Sequence, residues 1–406
     1  MTAASAPGAS GTPSRHASLG VLMVTGAYVP DQSGAGLQCR ALVQHLRATI
    51  PVAVLTTTTD SQLATEDEVD GVPVYRVFVE PSRVRSKLAA AVRMTRVMLR
   101  ERRRFSILHL HGFSQKSMLV VALGLLMGKR IAIKLTSVGH DDPVSMQKQG
   151  GLAYWCYSRS HLYFGVSPRF QSLYEASELP AGRFRLIPNG VDLDRFRPAA
   201  PDERRATRRE LGLPPDAAVV LFVGFFSREK CPDVLYDAWA RAAQRGDTSS
   251  VLVFVGATRS TYYEVDQDLA RDIRDRAAKA GLGGRLHFVE KTQEIEKYYR
   301  AADVFVLPSV REGLPNALLE AMASGTACVA TRLEGVTDTL IDDGSSGVLI
   351  PPRDEAAIAT ALERLLLHPD QALGMGARAR ERVKRDFALT DVVQSYLDVY
   401  QELAAT

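Results

Sequence analysis

What most restricts the fold of this chain is a rhythm of short apolar runs, each of strand length and each followed by a segment with helical periodicity. The runs are Gly20 to Val24, Val52 to Thr56, Val74 to Val79, Ile107 to Leu110, Ile131 to Lys134 and Leu162 to Val166. After a turn-rich break a second set begins: Val219 to Val223, Val251 to Val255, Leu286 to Val289, Val304 to Leu307, Ala327 to Ala330 and Gly347 to Ile350. Strands that alternate with helices build parallel sheets covered on both faces. The two sets predict an α/β chain of two Rossmann-like domains with parallel sheets facing a cleft. A length of 406 residues supplies core enough for both.

Within this frame one stretch stands out, Val310 to Gly325. It follows the run Val304 to Leu307 and reads as a strand, a loop and a short helix. Pro315 suits the first helical turn, where its missing N–H costs nothing. Gly325 suits the stop just past the last turn. Glu312 then lies in the loop ahead of the helix. Glu320 lies inside the helix, about 6 Å along the axis from Asn316, and leans back toward the same mouth. Between them the first-turn amides and the positive end of the helix dipole form an anion site. A diphosphate with hydroxyls on both sides matches that layout, and a nucleotide sugar is such a ligand. The plainer reading is two solvated glutamates on ordinary strand-loop-helix grammar.

The order Glu, seven residues, Glu, with Gly-Leu-Pro-Asn after the first and Glu-Ala-Met-Ala-Ser-Gly closing it, resembles the signature of family 4 glycosyltransferases with the GT-B fold. The resemblance implies that Glu312 contacts the donor hexose and Glu320 the ribose. It implies phosphate contacts from the backbone of Gly313, Leu314, Pro315, Asn316 and Ala317. The loop Tyr28 to Gly36 resembles the family's N-terminal glycine loop, with Gly36 its best match and Gly34 beside it. It is not the dinucleotide fingerprint, which needs a third glycine at set spacing. After Val219 to Val223, the stretch Gly224 to Lys230 resembles the family's Gly-Arg…Lys segment. Phe225 stands where the family has Arg, so Arg228 is expected to supply the guanidinium, and Lys230 matches the family Lys. Lys291 falls where the family contacts the base. The family His at the end of the strand Ile131 to Lys134 aligns with Thr136 here; His140, four residues on, is kept as a candidate. His111, at another strand end, is a candidate for the donor site or a satisfied structural histidine. Ile187 to Asp192 resembles the family's interdomain hinge.

The resemblance implies these bounds: an acceptor-binding domain over 19–192, a nucleotide-sugar-binding domain over 193–385, and a last helix, 386–406, crossing back to the first domain. Residues 1–18, rich in Ala, Ser, Gly, Pro and Thr, read as a disordered tail without the apolar core of a signal peptide. The implied activity is a retaining, metal-independent transfer of a hexose from a nucleotide-diphosphate sugar, UDP-sugar on family frequency. The acceptor would be a saccharide, a lipid-linked glycan or a small molecule, and no cofactor is implied. The adjacent carboxylates Asp141 and Asp142 read as turn formers rather than metal ligands. Asp192 and Asp194 have metal-pair spacing but follow a turn in the hinge. Other readings stay open: a nucleotide-sugar epimerase of the same fold, or a two-lobed sugar-binding protein, which should carry an export signal. An NAD-linked oxidoreductase would need the full glycine fingerprint.

Net charge of +4 is too small to argue for nucleic acid as a partner. Four scattered cysteines, Cys39, Cys156, Cys231 and Cys328, suggest neither a zinc site nor a disulfide framework, so a reducing, cytoplasmic setting is expected. The apolar run Met118 to Met127 is too short to span a bilayer and reads as a buried helix. From Arg83 to Arg104 the chain carries nine basic residues and one acidic, with Val84, Leu88, Val92 and Met98 near one face of a helix. That segment reads either as a helix packed on a sheet with a solvated basic face, or as a peripheral contact with anionic lipid.

Overall fold

A computed structural model describes residues 19–31, 33–245, 249–258 and 265–405; the tail expected over 1–18 lies outside them. The first sheet comprises β1 (Val21–Thr25), β2 (Val52–Thr58), β3 (Glu66–Val69), β4 (Val72–Phe78), β5 (Ile107–His111), β6 (Arg130–Lys134), β7 (Leu162–Gly165) and β8 (Phe184–Leu186). The second comprises β9 (Val219–Val223), β10 (Val251–Val255), β11 (Leu286–Val289), β12 (Val304–Leu307), β13 (Ala327–Thr331) and β14 (Val348–Ile350). Their orders are β3-β4-β2-β1-β5-β6-β7-β8 and β11-β10-β9-β12-β13-β14. Chain direction across the sheet reverses between β1 and β5 and again between β9 and β12. Crevices open at such places, beyond the carboxyl ends of the strands.

Every apolar run of the two sets forms a strand, and all neighbours pair in parallel except β3, which is antiparallel to β4. β3 and β8 were not expected. β3 is Glu-Asp-Glu-Val, exposed and almost without apolar content. A turn through Asp70 and Gly71, both at positive φ, folds it onto β4, and Arg76 bonds Asp67 at 2.8 Å. The Asp-Gly hairpin signal was there to be read. β8 has only three residues, too few for a pattern.

The glycine loop runs into the helix Gly34–Leu46, which Ser33 caps by accepting from the Gly36 N–H at 3.0 Å. Gly36 packs so close to the preceding turn that a Cβ would drive into the Ala27 carbonyl. The run Met118 to Met127 lies largely in the helix Gln115–Leu126, which buries Val120 and Val121 but leaves Leu126 exposed. No helix among the described residues is long and apolar enough to cross a membrane. All four cysteines are buried and free.

The chain crosses between the sheets twice, and the crossings are bonded to each other. Val191 pairs in parallel with Ala388; its N–H donates to the Phe387 carbonyl at 3.0 Å, and its carbonyl accepts from Leu389 at 3.1 Å. The closing helix, Leu389–Ala405, then packs on the first sheet beside the helix Gly34–Leu46. Tyr396 meets Phe164 at 4.8 Å between ring centroids, and the Tyr400 hydroxyl lies 2.5 Å from His109 Nδ1. Burial holds His109 well below the usual histidine pKa, with Lys134 adding to the effect, so the imidazole is neutral. Tyr400→Phe should therefore lower stability by about 1–2 kcal/mol, read as a shifted midpoint in urea unfolding.

Candidate functional site

The site is built on the loop after β12. Pro315 caps the tip helix, Asn316–Ala323, and Gly325 ends it at φ 70°. The Leu318 and Leu319 amides turn back to the Pro315 carbonyl at 3.1 and 3.2 Å. Those of Asn316 and Ala317 come first and belong to the set with no intrahelical acceptor. Gly313 presses this loop onto the first domain: a Cβ there would run into the Thr136 carbonyl at the end of β6. Only glycine permits that approach.

Glu312 is nearly buried, and Lys230 Nζ donates to its Oε1 at 2.7 Å. An anion reaching Lys230 thus meets a cation already shared with a carboxylate. Arg311, next along, bonds Glu229 through Nε at 2.9 Å and reaches the Val138 carbonyl at 3.4 Å. Glu320, one helical turn further in, accepts from the Tyr299 hydroxyl at 2.8 Å. Burial pushes its pKa up to about 7, against the Tyr299 hydrogen bond and the Arg195 charge, which both pull it down. Burial thus favours the protonated carboxyl.

Asn316 ties three parts of the molecule together. Its Nδ2 donates to the Gly34 carbonyl at 3.1 Å, and its Oδ1 accepts from Asn189 Nδ2 at 2.8 Å. Asn189 Nδ2 also reaches the Leu314 carbonyl at 3.2 Å. The glycine loop, the hinge and the tip helix therefore meet at one amide. Nearby, Gln38 Nε2 donates to the Gly190 carbonyl at 3.1 Å.

The structure brings Gly34, Lys230, Glu312, Gly313, Leu314, Pro315, Asn316 and Ala317 into one neighbourhood, with Glu320 behind them on the same helix. The Arg228 side chain is 66% exposed and bonds Asp266 at 2.9 Å, with Asp233 at 4.0 Å. Its guanidinium is engaged by those carboxylates. His111 faces the closing-helix side of its sheet: it is buried, its ring tilted against His109 with centroids 4.5 Å apart, and burial lowers its pKa strongly. His140 is exposed in a turn, its amide donating to the Ser137 carbonyl at 3.2 Å. Phe225 is half-buried after β9, and Lys291 is exposed after β11.

Asp141 and Asp142 build the loop at the end of β6. Asp141 accepts from the Thr136 amide at 2.9 Å, the Thr136 hydroxyl at 2.7 Å and the Ser137 amide at 2.8 Å. Asp142 accepts from Gly139 at 2.7 Å and caps the helix Pro143–Gln149 through Ser145 at 2.9 Å. Asp192 likewise takes the amides of Asp194 and Arg195, each at 3.0 Å. Among the described residues no group of three or more His, Cys, Asp or Glu side chains could hold a metal ion. Sequence reasoning missed Asn189 and Tyr299 as partners of the site. The Pro-Asn-Gly turn marked the first position without its role; nothing marked the second.

Asn316→Ala removes two hydrogen bonds across the cleft, each worth about 1 kcal/mol. Hydrogen exchange at the amides near Gly34 and Asn189 should become roughly tenfold faster, with the distant sheet cores unchanged.

Comparison with known proteins agrees with this architecture. Residues 33–190 match the family model described as a glycosyl transferase 4-like domain, and residues 203–382 match that of glycosyl transferases group 1. D-inositol 3-phosphate glycosyltransferase 2 of Catenulispora acidiphila is 37% identical over 238 residues, 56% of this chain and 53% of that protein. The D-inositol 3-phosphate glycosyltransferase of Saccharomonospora viridis is 36% identical over 225 residues, 54% and 50% of the two chains. The chain spans about half the length of the curated relatives it matches. Among solved structures, Anabaena HepE in complex with UDP and glucose superposes with a TM-score of 0.77 at 17% identity, covering 95% of this chain and 100% of that one. Sucrose-phosphate synthase from Thermosynechococcus elongatus gives 0.78 at 23% identity, covering 95% and 99%. Two domain matches that together take in most of the sequence, on two parallel sheets arranged as in GT-B structures, place this chain in the family of GT4-type glycosyltransferases.

Proposed function

We propose that this protein transfers a hexose, with retention at the anomeric carbon, from a nucleotide-diphosphate sugar to a hydroxyl of a saccharide, lipid-linked or small-molecule acceptor. The observation that carries the reading is the pair Lys230–Glu312 at the mouth of a helix whose next turn holds Glu320. The donor diphosphate would lie on the Asn316 and Ala317 amides with Lys230 beside it. Glu312 would take a hexose hydroxyl and Glu320 the ribose hydroxyls. That the relatives are named for transfer to an inositol phosphate, and that HepE was solved with UDP and glucose, supports a uridine donor and a polyol or sugar acceptor.

In this reading the acceptor oxygen bonds to the anomeric carbon as the bond to the diphosphate breaks. The acceptor proton passes to the departing phosphate oxygen. The leaving group gains charge, and fixed donors that meet it favour the transition state. Lys230 and the tip amides are such donors, each charged hydrogen bond contributing about 1.5–3 kcal/mol. Metal independence follows the family resemblance. Lys230 gives Glu312 to the hexose only as its ammonium turns to phosphate, so donor binding and the release of this ion pair are one event.

The experiment is a donor screen that follows nucleotide-diphosphate release with and without candidate acceptors. Release that depends on acceptor supports transfer; conversion of the donor sugar without any acceptor would instead make the protein an epimerase. Glu312→Ala should cut turnover by about 100-fold or more while the melting midpoint stays within a few degrees. Glu320 adds a pH signature. Ribose hydroxyls donate to the ionised carboxylate, so binding releases a proton from a group titrating at about 7. Nucleotide affinity should rise from pH 6 to pH 8 by roughly tenfold, and Glu320→Gln should bind more weakly without that slope. A wild-type affinity flat across this range would remove Glu320 from the ribose.

A further inference from the structure

The basic segment forms the helix Val84–Glu101, but not in the orientation its sequence suggested. The side turned to the core is Ala90, Met94 and Met98. Val84, Leu88 and Val92, expected beside Met98, point outward and are 70%, 63% and 51% exposed, with Leu99 at 43%. At 3.6 residues per turn these four fall within roughly 80° of arc and extend about 22 Å along the helix. An aliphatic stripe this exposed, broken only by the half-buried Thr95, is not what a solvated helix face carries.

Arg85 and Arg96 flank one side of the stripe and Lys87 the other. Among the described residues none of these, nor Arg93, meets a carboxylate within 4.0 Å. The acids around the helix are already taken: Glu80 by Arg83 at 3.0 Å, Glu66 by Arg100 at 2.7 Å, Glu101 by Arg100 at 3.1 Å and Arg104 at 3.6 Å. The charge left over is positive. The same layer of the domain, formed with the helices Gln115–Leu126 and Gly151–Ser158, also exposes Leu126, Leu152 and Trp155. Aliphatic side chains at the crest, cations at the flanks and a half-exposed tryptophan are the composition of a surface that rests in the headgroup region of a bilayer.

We propose that this face of the first domain docks on an anionic lipid surface, with Val84, Leu88, Val92 and Leu99 entering the headgroup boundary and Arg85, Arg96 and Lys87 meeting lipid phosphates. The charge complementarity selects lipid over a second copy of this chain, whose matching stripe would set these cations against their own kind. The proposal stands on surface geometry and is independent of the transfer reaction.

The test is co-sedimentation of the full chain with phosphatidylcholine vesicles, with and without phosphatidylglycerol. Binding is expected only to the vesicles that contain phosphatidylglycerol and should fall at high salt. Arg85→Ser with Arg96→Ser should weaken partitioning by roughly tenfold or more, and Leu88→Ser with Val92→Ser by roughly tenfold. All four side chains are exposed, so melting midpoints and donor turnover in solution should match the parent protein. Failure to bind either vesicle, or binding that both double variants leave intact, overturns the proposal. A dimer in sedimentation velocity that Leu88→Ser with Val92→Ser converts to monomer would reassign the stripe to self-association and overturn it equally.

Discussion

The arrangement across the cleft depends on how closely two backbones approach. Gly313 lies against the Thr136 carbonyl, at a distance no side chain would allow. That approach puts Arg311 within reach of Val138 and helps hold the tip helix where Asn316 can reach Gly34 and Asn189. The contacts are few, polar and directional. They define one relative placement of the sheets at modest energetic cost, and hydrogen bonds of this kind exchange readily with water. For the proposed transfer, in which a donor must enter and a product leave, such bonds would serve better than a broad apolar seam.

Charge at the site follows the same economy. The nearly buried Glu312 is neutralised by Lys230, and Glu320 is kept near its titration point by burial. Neither acid carries an uncompensated negative charge into the place where a diphosphate would lie. Desolvating bare carboxylates beside a polyanion would oppose binding strongly. The first-domain loop uses its acids differently: Asp141 and Asp142 spend their lone pairs on backbone amides and so shape the surface that receives Gly313.

Much of this was legible in the sequence, for identifiable reasons. Buried parallel strands are uniformly apolar, so the runs announced both sheets; β3 escaped because its pairing is held by a turn and an Arg76–Asp67 bridge instead of apolar burial. The tip helix was readable because Pro and Gly mark its ends. Side-chain direction was not. Arg228 sits where a catalytic cation was expected, yet Asp266, 38 positions away, claims it. His111 ends a strand as expected, and the strand's two-residue alternation sends it toward the closing helix. The stripe on Val84–Glu101 shows the same limit: the periodicity found a helix, and the adjoining small side chain Ala90 with Met94 and Met98 decided which side met the core.

The closing helix has a consequence for how the molecule is made. The first sheet is assembled from residues 21–186, yet Tyr396 and Tyr400, which cover His109, Lys134 and Phe164, follow the whole second sheet in sequence. During synthesis that wall stays bare until the closing helix clears the ribosome, long after its strands could pair. The first domain is therefore completed only after the second has been made, and a nascent chain that stalls before the closing helix exposes a polar-lined apolar surface to whatever chaperone stands at the exit tunnel.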